Sequence, residues 1–163
     1  MYIIPLVGKS NSGKTSSIKY LIIKMLEIED VEVIYTSKFS SSKSNKNELI
    51  HLIREPWEGK NASLDITVLL KYQGKYIYIT TNGDCIKDIL NNLRNVSDKY
   101  GTVDVCICGR HSGNQIMREF SAYACIVDTV VTKERAINGN FDKENQDTAK
   151  KLFSEIEKIL QTR

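Results

Sequence analysis

Gly8-Lys9-Ser10-Asn11-Ser12-Gly13-Lys14-Thr15 fills every fixed position of the spacing G-x-x-x-x-G-K-[ST], and its flanks are the ones that spacing requires. Before it, Tyr2-Ile3-Ile4-Pro5-Leu6-Val7 reads as a short buried strand, with Pro5 tolerable near an end or on an unpaired side. After it, Ile18, Leu21, Ile22, Met25 and Leu26 recur at i, i+3, i+4, i+7 and i+8, the apolar stripe of a helix that begins as the glycine loop ends. The glycines let the backbone turn its N–H groups inward, and the helix adds partial positive charge at its N-terminus. Such a turn is expected to cradle a phosphate chain, with Lys14 bridging the outer phosphates and the Thr15 hydroxyl on Mg²⁺.

Strand, loop and helix together resemble the P-loop NTPase superfamily, and the resemblance is specific for that one strand, one loop and one helix. It implies a P-loop three-layer α/β sandwich that binds ATP, with GTP not excluded, and Mg²⁺. The nucleotide would then be held by Gly8, Lys9, Ser10, Asn11, Ser12, Gly13, Lys14, Thr15 and Ser16. Lys9 stands where the chromosome-partitioning type of deviant Walker ATPase also carries lysine. Ser10 and Asn11 replace the two glycines of that family, so Lys9 reads as a solvent-facing residue at a free position.

A chain of 163 residues is expected to form a single domain, 1–163, large enough to bury a core without disulfides or structural metal. The balance of 23 Lys plus Arg against 20 Asp plus Glu gives +3, too mild an excess to indicate nucleic acid. No apolar run is long enough to cross a bilayer, and no basic region precedes the N-terminal apolar stretch, so a cytoplasmic protein with no membrane partner is expected. Among the four cysteines, Cys85, Cys106, Cys108 and Cys125, there is no C-x-x-C pair. Cys106 and Cys108 alternate in an apolar strand and should share a face as reduced, buried thiols.

Along the chain, Val31 to Thr36 reads as a second strand, expected to pair with the first. Ser37 to Lys46 is a polar run at the strand's C-terminal end, the edge where open α/β sheets bind ligands. Asn47 is a candidate cap for a short helix that Pro56 should terminate; His51 falls on it and reads as structural. Leu64 to Tyr72 and Lys75 to Thr80 alternate around Gln73-Gly74, a hairpin that makes one strand antiparallel. A helix then carries Ile86, Ile89, Leu90, Leu93 and Val96, with Asp84 as its cap. Val103 to Cys108 is a buried strand, a short helix spans about 115–120, and Tyr123 to Asp128 is a last strand. An irregular stretch leads to a closing helix capped near Asp142 or Asn145. The expected fold is therefore α/β, a mostly parallel five-stranded sheet with an added antiparallel hairpin strand and helices on both faces.

Phosphoryl chemistry of this kind also needs a carboxylate at a strand's C-terminal end. Asp104 begins its strand, the wrong edge, and reads as structural. Asp128 ends a strand and is an alternative. Lys75 to Gly83 resembles the small-GTPase hairpin that ends in D-x-x-G, but Thr80 stands where that family has Asp. That resemblance makes Gly83 a γ-phosphate contact, and leaves Asp84 as the preferred catalytic and metal-side carboxylate beside Thr15. The guanine-reading N-K-x-D motif of that family is not found. Arg110 follows a buried strand on the ligand edge, where its guanidinium can meet phosphate, while nothing pairs His111 with a carboxylate.

The leading expectation is a Mg²⁺-dependent ATP-binding protein that hydrolyses ATP, with Lys14, Asp84 and Arg110 as catalytic groups. The alternatives are a small nucleotide or metabolite kinase, and a non-catalytic nucleotide switch that docks on a protein partner or a second copy of itself.

Overall fold

A computed structural model describes residues 1–38, 45–58, 65–83, 85–110, 120, 126–127, 129–134 and 140–162. Its elements in order are β1 (Tyr2–Val7), α1 (Lys14–Leu26), β2 (Glu32–Thr36), α2 (Lys46–Glu58), β3 (Thr67–Tyr72), β4 (Lys75–Thr80), α3 (Ile86–Tyr100), β5 (Val105–Arg110), β6 (Ile126–Val127), β7 (Val131–Thr132) and α4 (Phe141–Gln161). The chain is α/β, built on one mixed sheet in the order β2-β3-β4-β5-β1-β6, with β7 also on β1.

β1 runs parallel to β5, β6 and β7, and β4 runs parallel to β5. β3 pairs antiparallel with both β2 and β4, so it alone among the described strands is reversed. The hairpin turn is the one its letters ask for: Gln73 and Gly74 have φ of 52° and 76°, the doubly left-handed geometry that matches strand twist. The expected pairing of the second strand with the first is overturned. β2 lies at the far edge of the sheet against β3, with three strands between it and β1.

Alternation within the strands divides the core. Ile4, Leu6, Ile77, Ile79, Val105 and Ile107 face α1, α2 and α4. Ile3, Val7, Tyr78, Cys106 and Cys108 face α3 and Phe120. Helices therefore cover both faces, and the two cysteines share one face as their spacing requires. Burial pushes the Tyr78 phenol well above its ordinary pKa, which makes it a packing residue. Pro5 sits in β1 beside the gap between β6, which pairs Tyr2 and Ile3, and β7, which pairs Leu6 and Val7. A residue with no N–H to donate fits at such a break.

Helix boundaries depart from expectation in three places. α2 runs past Pro56 to Glu58, because a proline in the last turn removes only one ladder bond. The side chain that meets its first turn is Asn45, whose Oδ1 accepts the Asn47 N–H at 2.9 Å. α3 begins with Cys85 at the cap and no side-chain hydrogen bond there, and α4 begins after Asn140, so neither Asp142 nor Asn145 caps it. Asp84, His111, Asp128, Cys125 and nearly all of the expected 115–120 helix lie outside the described residues. His51 is exposed on α2.

Candidate active site

The sheet delivers two chain ends side by side. The β1–β5 register places Val7 against Arg110, and the Gly8 N–H donates to the Arg110 carbonyl at 3.1 Å. The glycine loop therefore starts where β5 stops. Asn11 and Gly13 take positive φ, 57° and 90°, alternating the backbone so that successive N–H groups turn to one side. Gly13 is then the cap residue from which α1 rises, and the Ser17 N–H donates to its carbonyl at 2.9 Å.

A cavity of about 470 Å³ lies over this loop, walled by the consecutive residues Ser10 to Ser16 and, across from them, by Thr81, Gly83, Gly109 and Arg110. Of the residues expected around a phosphate chain, Ser10, Asn11, Ser12, Gly13, Lys14, Thr15, Ser16, Gly83 and Arg110 all meet here. Gly8 and Lys9 take part through their carbonyls, which accept from Lys14 Nζ at 2.8 and 2.7 Å. The Lys9 residue itself is exposed. Ser12 is 4% exposed and its Oγ has no hydrogen-bond partner among the described residues, a donor held against the loop in a place where a buried hydroxyl ordinarily has one.

Two glycines on the far wall explain its shape. A Cβ on Gly83 would overlap the Gly109 carbonyl oxygen, so the residues after β4 and those ending β5 approach as closely as backbone allows. Arg110 Nη1 donates to the Gly83 carbonyl at 2.8 Å, which ties the guanidinium to this wall.

The residues that support the loop were the harder ones to read from sequence. Asn145 of α4 is buried, packs against Gly13, and lies 3.3 Å from Ser17 Oγ, whose proton it shares with the nearer Gly13 carbonyl at 2.9 Å. Its signal was a polar residue in line with Ala149, Leu152 and Ile156 on the buried stripe. Lys133 follows β7; its N–H donates to the Val7 carbonyl at 2.7 Å and its own carbonyl lies against Gly8. Burial lowers the Lys133 pKa, with Glu144 opposing, Lys151 adding and Asp147 opposing.

Other expectations separate from the site. Asp104 accepts the Tyr76 N–H at 2.9 Å and pairs with Lys75 at 3.6 Å, a structural carboxylate at the opposite edge. Thr80 is 1% exposed, shares a 2.8 Å hydrogen bond with Thr67, accepts the Asn82 N–H and does not reach the cavity; the next residue, Thr81, does. The polar segment 37–46 begins on the ligand edge, yet Lys46 Nζ donates to the Ile28 and Glu29 carbonyls at 2.8 and 3.0 Å, just past the far end of α1. Of this segment, residues 39–44 lie outside the described residues.

Compared with protein-family models, curated proteins and solved structures, the chain matches none of them.

Proposed function

We propose that the chain is a P-loop nucleoside triphosphatase, with ATP as its substrate, in a fold of the three-layer P-loop type. The observation that carries this reading is the cavity itself: seven consecutive residues, Ser10 to Ser16, wall it at the N-terminus of a 13-residue helix, with a buried hydroxyl that has no partner among the described residues. Turned N–H groups, a helix dipole and a lysine at one point favour an anion with several oxygens.

In this reading Lys14 leaves the Gly8 and Lys9 carbonyls for the β- and γ-phosphates, and Arg110 stabilises the charge that spreads over the transferring group. Gly83 keeps the far wall close to the γ-phosphate. Mg²⁺ fits as an ion carried in with the nucleotide. Among the described residues no cluster of three or more carboxylate, imidazole or thiol groups is built to hold a metal, and the wall offers the Thr15 hydroxyl. Mg²⁺ keeps several waters and takes its other oxygens from phosphate, so one hydroxyl and a nearby carboxylate, for which Asp84 remains the candidate, are enough.

The alternative to hydrolysis is transfer to a second substrate, as in a small nucleotide or metabolite kinase. That kinase reading needs acceptor-binding elements on the ligand edge, and residues 39–44, which follow β2 there in sequence, lie outside the described residues. No helix of the described residues is long and apolar enough to cross a membrane, and an ATP-dependent role fits a cytoplasmic protein.

The test is the shift in thermal stability with ATP, GTP, ADP and GDP, each with and without Mg²⁺, followed by phosphate release. Stabilisation by Mg-ATP with slow phosphate release is expected. A phosphorylated nucleoside or nucleotide accumulating faster than free phosphate would establish the kinase, and tight Mg-nucleotide binding without turnover would establish a switch.

A further inference from the structure

The reversed strand β3 starts on the edge where its neighbours end, so the residues just before it arrive beside the cavity. Thr81, one residue past β4, is 6% exposed and lines the cavity, and its N–H donates to the Ile66 carbonyl at 2.9 Å. Its hydroxyl accepts the Ile66 N–H at 2.9 Å and donates to Asp65 Oδ1 at 3.1 Å; the Ile66 carbonyl, at 3.4 Å, is the poorer acceptor beside a carboxylate. A hydroxyl has one proton and two lone pairs. With the proton committed to Asp65 and one lone pair to Ile66, no described residue donates to the second lone pair, which is left to accept from a group in the cavity that Thr81 lines.

Resting on the reading of this cavity as a phosphoryl-transfer site, we propose that Thr81, with the Asp65 carboxylate behind it, takes the proton of the oxygen nucleophile that attacks the terminal phosphorus. The nucleophile forms the new P–O bond as its proton passes to Thr81 Oγ1 and the proton of Thr81 passes to Asp65 Oδ1. The bond from phosphorus to the bridging oxygen breaks, and its electron pair leaves on the nucleoside diphosphate. Asp65 is exposed and returns the proton to solvent. Thr81 touches the reacting oxygen; Asp65 acts through it and is a positioning residue. The neighbouring charge belongs to Lys19 of α1: burial lowers its pKa, and the carboxylate of Asp65 opposes that shift, which ties Asp65 electrostatically to the helix that carries the glycine loop.

Phosphate release, ATP affinity and ligand-free melting temperature are measured for wild type, Thr81→Val, Thr81→Ser and Asp65→Asn. Thr81→Val and Asp65→Asn are expected to lower kcat by about 10²-fold or more, the range of positioned proton transfer, with ATP affinity held within about twofold. Thr81→Ser should recover most of the rate, because it restores the hydroxyl and not the methyl group. Since Asp65 is exposed, Asp65→Asn keeps the test open even where Thr81→Val fails to fold. An unchanged kcat in Asp65→Asn, or a Thr81→Val loss that Thr81→Ser does not repair, would overturn the proposal. Wild type that binds ATP without turnover would overturn it while leaving nucleotide binding standing, and wild type that binds no nucleotide would sink the reading beneath it.

Discussion

The Oδ1 atom of Asn145 lies 2.5 Å from where a Cβ on Gly13 would stand, so the last helix and the glycine loop meet with no room for a methyl group. Gly13 also has φ of 90°, where an L side chain is strained. Gly13→Ala is expected to lose about 1–3 kcal/mol of stability through overpacking and strain. Asn145→Ala alone should cost about 1 kcal/mol or less, since the Ser17 hydroxyl keeps the nearer Gly13 carbonyl, at 2.9 Å, as acceptor. Combined, the two should cost less than their sum, since the second makes space for the first. Urea denaturation of the four species measures that coupling, and strict additivity would show that the contact has no energetic weight.

Lys14→Ala should leave the fold standing, because the ammonium reaches the loop carbonyls of Gly8 and Lys9 and not the apolar core. Hydrogen bonds to charged groups contribute about 1.5–3 kcal/mol, so affinity for Mg-ATP should fall about 10- to 100-fold. Titration calorimetry on Lys14→Ala and wild type checks this. Equal affinities would remove the loop from the binding site.

Gly83 and Gly74 offer a contrast between crowding and backbone conformation. A Cβ on Gly83 would overlap the Gly109 carbonyl, while at Gly74 it meets nothing within 4 Å, though φ is 76°. Gly83→Ala should therefore cost about 3 kcal/mol or more and distort the cavity wall, against about 1 kcal/mol for Gly74→Ala, which leaves nucleotide binding untouched. Thermal melts and ATP affinity for the pair separate the two outcomes.

Asp104 is expected to matter for stability and not for chemistry. Asp104→Ala leaves the Tyr76 N–H without its acceptor and Lys75 without its partner, at a cost of about 1–2 kcal/mol on a half-exposed edge. Its phosphate-release rate should equal that of wild type at a temperature where both are folded. A specific loss of rate would move the carboxylate of the site to the opposite edge of the sheet.

Lys133 supplies a pH test. Its folded pKa is lowered from 10.5 by burial, so between that lowered value and 10.5 the unfolded chain binds a proton that the native chain has released. Stability contributed at this site therefore rises with pH across that window. Chemical denaturation from neutral pH up to 10.5 should show wild type gaining on Lys133→Met, which has no such proton to release. Parallel curves would show that the lysine is solvated in the native state.

The loop was legible because everything that shapes it is local: β1, Gly8 to Thr15 and the first turns of α1 are contiguous, and their letters specify a strand, a left-handed turn and a helix. Gly83 and Arg110 were read as its neighbours and line the cavity, but the rest of what surrounds the loop was not legible, for the opposite reason. Strand order is set by contacts between residues far apart in sequence, so β2 looked like the partner of β1 when three strands stand between them. Asn145 looked like a helix cap, since that is the commonest use of asparagine near a helix start. Asp65 looked like the polar start of a hairpin strand until the reversal of β3 brought it to Thr81. Thr80 drew notice as the departure from an aspartate pattern, whereas the neighbouring threonine is the one that reaches the cavity.

The order of strands also sets a timetable for synthesis. β1 carries the loop, but its partners among the described strands are 105–110, 126–127 and 131–132, so it leaves the ribosome well ahead of all of them. The β3–β4 hairpin can close early, whereas the central strand must wait and keep its apolar run from aggregating. A chain truncated before β5 would hold the whole Gly8 to Thr15 segment and still have no floor on which to build the cavity.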